Sequence, residues 1–127
     1  MNPDPKQREV ADKILRSIEG RYGFIPLVNE VLSERPDIFI PAANLGRSVM
    51  EGGVIEPKMK YLMAVSAASA LGGQHCIHVQ MHHAIEAGAS KDEVMEAIMV
   101  GAYMSMTRAQ SYALREFKDA YKDAEPK

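Results

Sequence analysis

The 127-residue sequence has no tryptophan, a single cysteine and no long apolar run. One cysteine excludes an intramolecular disulfide and fits a reducing compartment. No apolar stretch approaches the about 20 residues that a membrane-spanning helix needs. The opening residues, MNPDPKQREV, lack the apolar core of a secretion signal, which points to an intracellular, cytoplasmic protein. There is no Lys/Arg run or basic patch, and the formal net charge is -2, which argues against nucleic acid as a partner. No segment alternates in the manner of a strand. The nearest, VLSERPDIFIP, is short and bounded by proline. Low-complexity tracts and internal repeats are also missing.

What is present is helical. The length suits one domain spanning residues 1–127, with short polar tails at 1–4 and 122–127. Val10, Ile14 and Ile18 recur every fourth position, with Ala11 and Leu15 beside them, which predicts an amphipathic helix from Pro5 to about Glu19. Gly20 and Gly23 are expected to end it. A second helix is expected from Pro26 to Ser33, stopped by Arg35-Pro36. A third is expected from Asp37 to Met50, with Pro41 early enough to be tolerated. A fourth begins at Glu56-Pro57 and closes at Gly72-Gly73. Its small residues, among them Ala64, Ser66, Ala67 and Ala70, let a neighbouring helix come close. A fifth runs from Gln74 to Ala87. Ser90 with Glu93 forms a capping-box signature for a sixth, from Lys91 to about Met104. A seventh is expected from Met106 to Tyr121, with Ser105 either a break or a bend. The fold class is all-α, a bundle of six to seven helices.

The chemistry concentrates in QHCIHVQMHHAIEAGAS. This stretch holds Cys76 and all four histidines: His75, His78, His82 and His83. At about 100° per residue it sorts into three faces. Ile77, Met81, Ala84, Ile85 and Gly88 form the expected core face. His75, His78 and His82 share a second, and Cys76, Gln80, His83 and Ala87 a third. Cys76 sits in the first turn, where unpaired N–H groups and the helix dipole favour a thiolate over the free thiol of pKa about 8.5. A reactive thiol is one reading. A small buried hydrophobe is the other, since free cysteine is often buried.

His78 and His82 have the spacing of a helical metal pair. His75 lies about 10 Å along the axis from His82, so one ion cannot take all three at metal–nitrogen distances of about 2.1 Å. A polar surface face is the plain alternative, and the residues point to no metal and no cofactor on their own. The methionines Met95, Met99, Met104 and Met106 read as adaptable core or interface filling.

Several of these features occur together elsewhere. YGFIP, ERPD, KMKYLMAVSAASALGG leading into a cysteine, and the spacing from Cys76 to AIEAGASKDEV make the run from Tyr22 to Gly101 resemble the carboxymuconolactone decarboxylase and alkylhydroperoxidase D-like family. The resemblance implies an all-α fold that assembles as a homotrimer or homohexamer. In the redox branch it implies a CxxC pair, a glutamate on the preceding helix and a histidine one turn after the second cysteine. Laid on this chain, the second cysteine is Cys76, the first falls on Gly73, the histidine on Gln80 and the glutamate on Tyr61. With no thiol at 73, a sulfenic acid on Cys76 needs an external thiol reductant or another subunit. A relay would have to be rebuilt from Tyr61, His75, His78 or His83, and Tyr is a poor base with a pKa near 10. The lactone decarboxylase branch lacks the cysteines and keeps a histidine at the place of Gln80.

The first functional expectation is therefore a thiol-dependent peroxide or disulfide oxidoreductase, peroxiredoxin-like, working through Cys76. The second is a non-redox lyase (a decarboxylase, for example) or isomerase on a small carboxylate or lactone, with His75, His78 or His83 as acid or base. The third is a non-catalytic ligand- or metal-binding oligomer.

Overall fold

A computed structural model describes residues 3–124, except for the side chain of His75. Of the expected tails, residues 1, 2 and 125–127 lie outside this range. Within it the chain forms six helices and no strand: α1 (Pro5–Tyr22), α2 (Leu27–Leu32), α3 (Pro36–Glu51), α4 (Pro57–Leu71), α5 (Gln74–Glu86) and α6 (Lys91–Tyr121). No helix among the described residues is long and apolar enough to cross a membrane. The chain divides into two compact units, the first ending at Gly53 and the second beginning at Val54.

In the first unit α3 packs against α1 and α2. Asp4, assigned to the tail by sequence, caps α1: its carboxylate accepts from the Lys6 amide at 3.0 Å. The helix runs through Gly20 and stops only at Gly23. There a φ of 79° suits a residue without a side chain, and the amide donates to the Glu19 carbonyl at 2.7 Å. Ala11 and Phe39 are buried in this unit, and Val10 lies at the rim, so the apolar stripe is centred on Ala11. Burying a side chain the size of Phe39 contributes about 2–3 kcal/mol. The Arg8 guanidinium donates to the Ser33 carbonyl at 2.7 Å and pairs with Asp12 at 3.0 Å, tying α1 to the end of α2. Pro26 precedes α2 as its N-cap and is not part of its first turn. Pro41 lies inside α3, which continues through it: the proline forfeits one intrahelical bond near the start, and the fifteen other residues hold the helix.

In the second unit α4 is the middle element, packed by α5 and by α6. Tyr61, Leu62, Val65 and Ala68 are its buried positions. The expected close approach is real. Gly101 of α6 lies so near the backbone of Ser66 that a Cβ there would overlap the Ser66 carbonyl. The start of α6 is fixed twice. Ser90 and Glu93 form the expected capping box, and the Lys58 ammonium donates to Glu93 at 3.1 Å. The Ser90 amide first, and Lys58 after it, hold the Glu93 carboxyl below the usual carboxylate range. Stability from these bonds is present above the ordinary glutamate pKa and fades as pH falls through the lowered one.

The expected sixth and seventh helices are a single helix of 31 residues, α6, and Ser105 neither breaks nor ends it. Serine at an exposed mid-helix position costs only a few tenths of a kcal/mol against alanine, too little to interrupt a helix held at its first half.

Two glycines separate packing from propensity. Gly101→Ala should destabilise the second unit by about 1–3 kcal/mol through overpacking against Ser66. Gly46→Ala, in α3 with nothing within 4 Å of the added carbon, should stabilise by about 0.5–1 kcal/mol. Urea unfolding monitored by circular dichroism measures both, and equal effects of the two would remove the close-approach argument.

Candidate functional site

The α4–α5 junction sets the geometry. Gly72 ends α4 with φ 78° and donates to the Ala68 carbonyl at 2.8 Å. Gly73 is the N-cap of α5 with φ -81° and ψ 91°, and its carbonyl accepts from the Ile77 amide at 2.9 Å. Gly73, as the N-cap, has no side chain with which to cap this helix start. Cys76 is the third residue of α5 and is exposed. Within the single chain, Cys76 is therefore not packed among core residues. A Cβ built on Gly73 would stand 3.6 Å from the Cys76 Cβ and 3.8 Å from its Sγ. Among the described residues nothing else comes within 4 Å of that position.

The faces of α5 differ from expectation. Among the described side chains of the helix, His83 and Ala84 are buried, whereas Ile85 is 53% exposed and Gly88, beyond its end, is also exposed. The inward side is thus the sector of Gln80, His83 and Ala84, displaced toward the face that carries Cys76. The reason is the partner helix. His83 meets Tyr61 of α4 with ring centroids 5.0 Å apart, and this aromatic contact outcompetes Ile85 for the interior. Both rings are nearly sealed, Tyr61 at 6% and His83 at 5% exposure.

Tyr61 and His83 are therefore brought together, but not onto the sulfur. His83 is seven residues beyond Cys76, about 10 Å along the axis. The hairpin turns tightly at Gly72-Gly73, so Tyr61, opposite His83, lies toward the end of the hairpin remote from the turn. Gln80 stands one turn after Cys76, and its side-chain oxygen is buried with no hydrogen-bond partner among the described residues. His78 and His82 are exposed and touch edge to face with centroids 4.5 Å apart. The side chain of His75 lies outside the described residues. Among the described residues no group of three His, Cys, Asp or Glu side chains is placed to hold a metal.

Pairing across the hairpin was the feature that sequence reasoning missed. Its signal was the symmetry of the turn: Tyr61 and His83 sit at nearly equal distances before and after Gly72-Gly73.

The space beside Cys76 carries a direct prediction. Cβ–Cβ separations in disulfides are about 3.5–4.5 Å, and Gly73 is in a backbone conformation open to any residue. Gly73→Cys should therefore close a disulfide with Cys76 under mild oxidation. Thiol titration should then find no free thiol in the oxidised variant and two after reduction. Two free thiols persisting in oxidant would show the geometry is not as described.

No curated protein matches the chain. Residues 36–119, from the start of α3 to near the end of α6, match the sequence pattern of the carboxymuconolactone decarboxylase family. The match begins later than Tyr22 and runs beyond Gly101, so it leaves out α1 and α2 and takes in most of α6. It covers about two thirds of the sequence and every residue of the α4–α5 hairpin, and on that match the chain belongs to the carboxymuconolactone decarboxylase family.

Proposed function

We propose that this protein is a single-cysteine thiol oxidoreductase of the alkylhydroperoxidase D-like type, acting in a reducing cytoplasm. The observation that carries the reading is the exposed Cys76 in the first turn of α5, beside the open flank at Gly73. The helix start offers amide N–H groups and the positive end of the dipole to a thiolate. The thiolate attacks one oxygen of a hydroperoxide. An S–O bond forms, the O–O bond breaks, and the departing alkoxide takes a proton from water. The product is an alcohol and a sulfenic acid on Cys76.

An external small thiol then completes the cycle. Its sulfur attacks Cys76, an S–S bond forms and water leaves. A second thiol releases Cys76 and carries away the disulfide. The room at Gly73 is where that incoming sulfur fits, because a second cysteine in the chain would occupy the same place. The Tyr61–His83 pair is too far along the hairpin to touch the sulfur, so its part in this reading is to hold α5 on α4.

The working form is a homo-oligomer, a trimer or hexamer. The support is α6, which packs on α4 with one side and leaves Met95, Met99, Tyr103, Met106, Phe117 and Tyr121 exposed along another. An apolar stripe of this length on a single helix marks an interaction surface. Sedimentation velocity should give a trimer or hexamer, and Met99→Glu with Phe117→Glu should shift it to smaller species. A monomer at tens of micromolar would overturn this part.

Cys76→Ser should reduce hydroperoxide-dependent oxidation of an added thiol to the buffer background, with the helical spectrum unchanged. Iodoacetamide should label Cys76 at neutral pH faster than free cysteine. Activity that survives the substitution, or labelling slower than free cysteine, would overturn the thiol mechanism.

A further inference from the structure

One cluster has no part in the thiol chemistry. His78 and His82 lie one turn apart on α5, both exposed, with ring centroids 4.5 Å apart. Their face is turned well away from Gln80 and His83, which face α4, and from Cys76 at the helix start. Edge-to-face contact of two rings on a solvated surface is worth at most about 1 kcal/mol. Something more can be made of the same spacing.

We propose that His78 and His82 form a two-imidazole chelate for a borderline first-row divalent cation, Cu2+ or Zn2+, with water in the remaining positions. A metal–nitrogen bond of about 2.1 Å, plus about 1.1 Å from nitrogen to ring centre, puts each ring centroid about 3.2 Å from the ion. For nitrogen–metal–nitrogen angles of about 90–110°, the two centroids then stand about 4.5–5.2 Å apart. The rings already sit at 4.5 Å. The torsion that aims each ring nitrogen is broad and nearly unhindered for histidine. Turning the rings about it re-aims the nitrogens while the centroids scarcely move. The helix thus holds the pair at the separation chelation requires.

The chemistry of the donors selects the ion. Two neutral imidazoles suit Cu2+ and Zn2+ and give nothing to Mg2+ or Ca2+, which take oxygen ligands. Among the described residues no third His, Cys, Asp or Glu is near enough to complete a closed site. Coordination left to water makes the site open and exchangeable, and places it with labile sites as opposed to structural ones.

The test is calorimetric titration at about pH 8. ZnCl2 is titrated into the wild-type chain and into Cys76→Ser, and CuCl2 into Cys76→Ser alone, so that copper cannot oxidise the thiol. MgCl2 serves as the control. One ion per chain is expected, with Cu2+ tighter than Zn2+ by the usual order of affinities and no heat from Mg2+. His78→Ala and His82→Ala should each weaken Zn2+ binding at least tenfold. His78→Gln repeats the test without shortening the side chain. Equal Zn2+ binding by wild type and Cys76→Ser supports the site. Zn2+ binding lost in Cys76→Ser, unchanged in both histidine variants, or absent from the wild-type chain overturns it. None of these outcomes bears on peroxide turnover, so the inference stands or falls apart from the thiol mechanism.

Discussion

The contact between α4 and α6 at Ser66 and Gly101 governs the second unit. A backbone carbonyl of one helix lies where the other has no side chain. Helices this close leave no room for a larger residue at 101. The α4 surface that meets α6 is built from small residues for the same reason, and α4 can then bury Tyr61, Leu62, Val65 and Ala68 against its neighbours. With α4 committed on both sides, α5 has one way to lie. It folds back over Gly72-Gly73 and presents Gln80, His83 and Ala84 inward. Placement of the thiol follows from this chain of constraints. Cys76 is on the inward-leaning side of α5 but at its first turn, where the interior has run out, and so it emerges into solvent.

Two charged interactions support the arrangement without driving it. Lys58 and Glu93 join the first turns of α4 and α6, and Ser90 closes the cap of α6. Both side chains of the pair are partly exposed, and solvent screens pairs of this kind, so they add little to stability. Their role is register: they set where α6 starts, and Gly101 then arrives opposite Ser66.

Much of the architecture was readable from local signals. The glycine stops at Gly23 and Gly72, the prolines at Pro36 and Pro57 and the Ser90–Glu93 box each act within one turn, so the residues that decide them are adjacent in sequence. Ser105 was ambiguous because nothing local distinguishes a bend from a continuous helix; the packing of α6 on α4 decided it. The candidate site was legible in part. Cys76 as the first-turn residue and the His78–His82 pair follow from counting along one helix. The inward rotation of α5 does not, since it depends on Tyr61 of a different helix reaching His83. Periodicity alone favoured Ile85 for the interior, because an isoleucine is more apolar than a histidine. An aromatic neighbour reversed that order, and no count along α5 contains the neighbour.

Glycine at position 73 has a further consequence for the fate of the sulfur. A chain with a second thiol there could park its oxidised state in a ring and wait. This chain has nowhere to park. Once Cys76 takes up an oxygen it must be met by another molecule, or climb to the sulfinic and sulfonic acids that ordinary thiols do not reverse. Under the thiol chemistry proposed above, its working life is a contest between the ambient thiol and the ambient oxidant, and the fraction of spent chains records how often the oxidant arrived first.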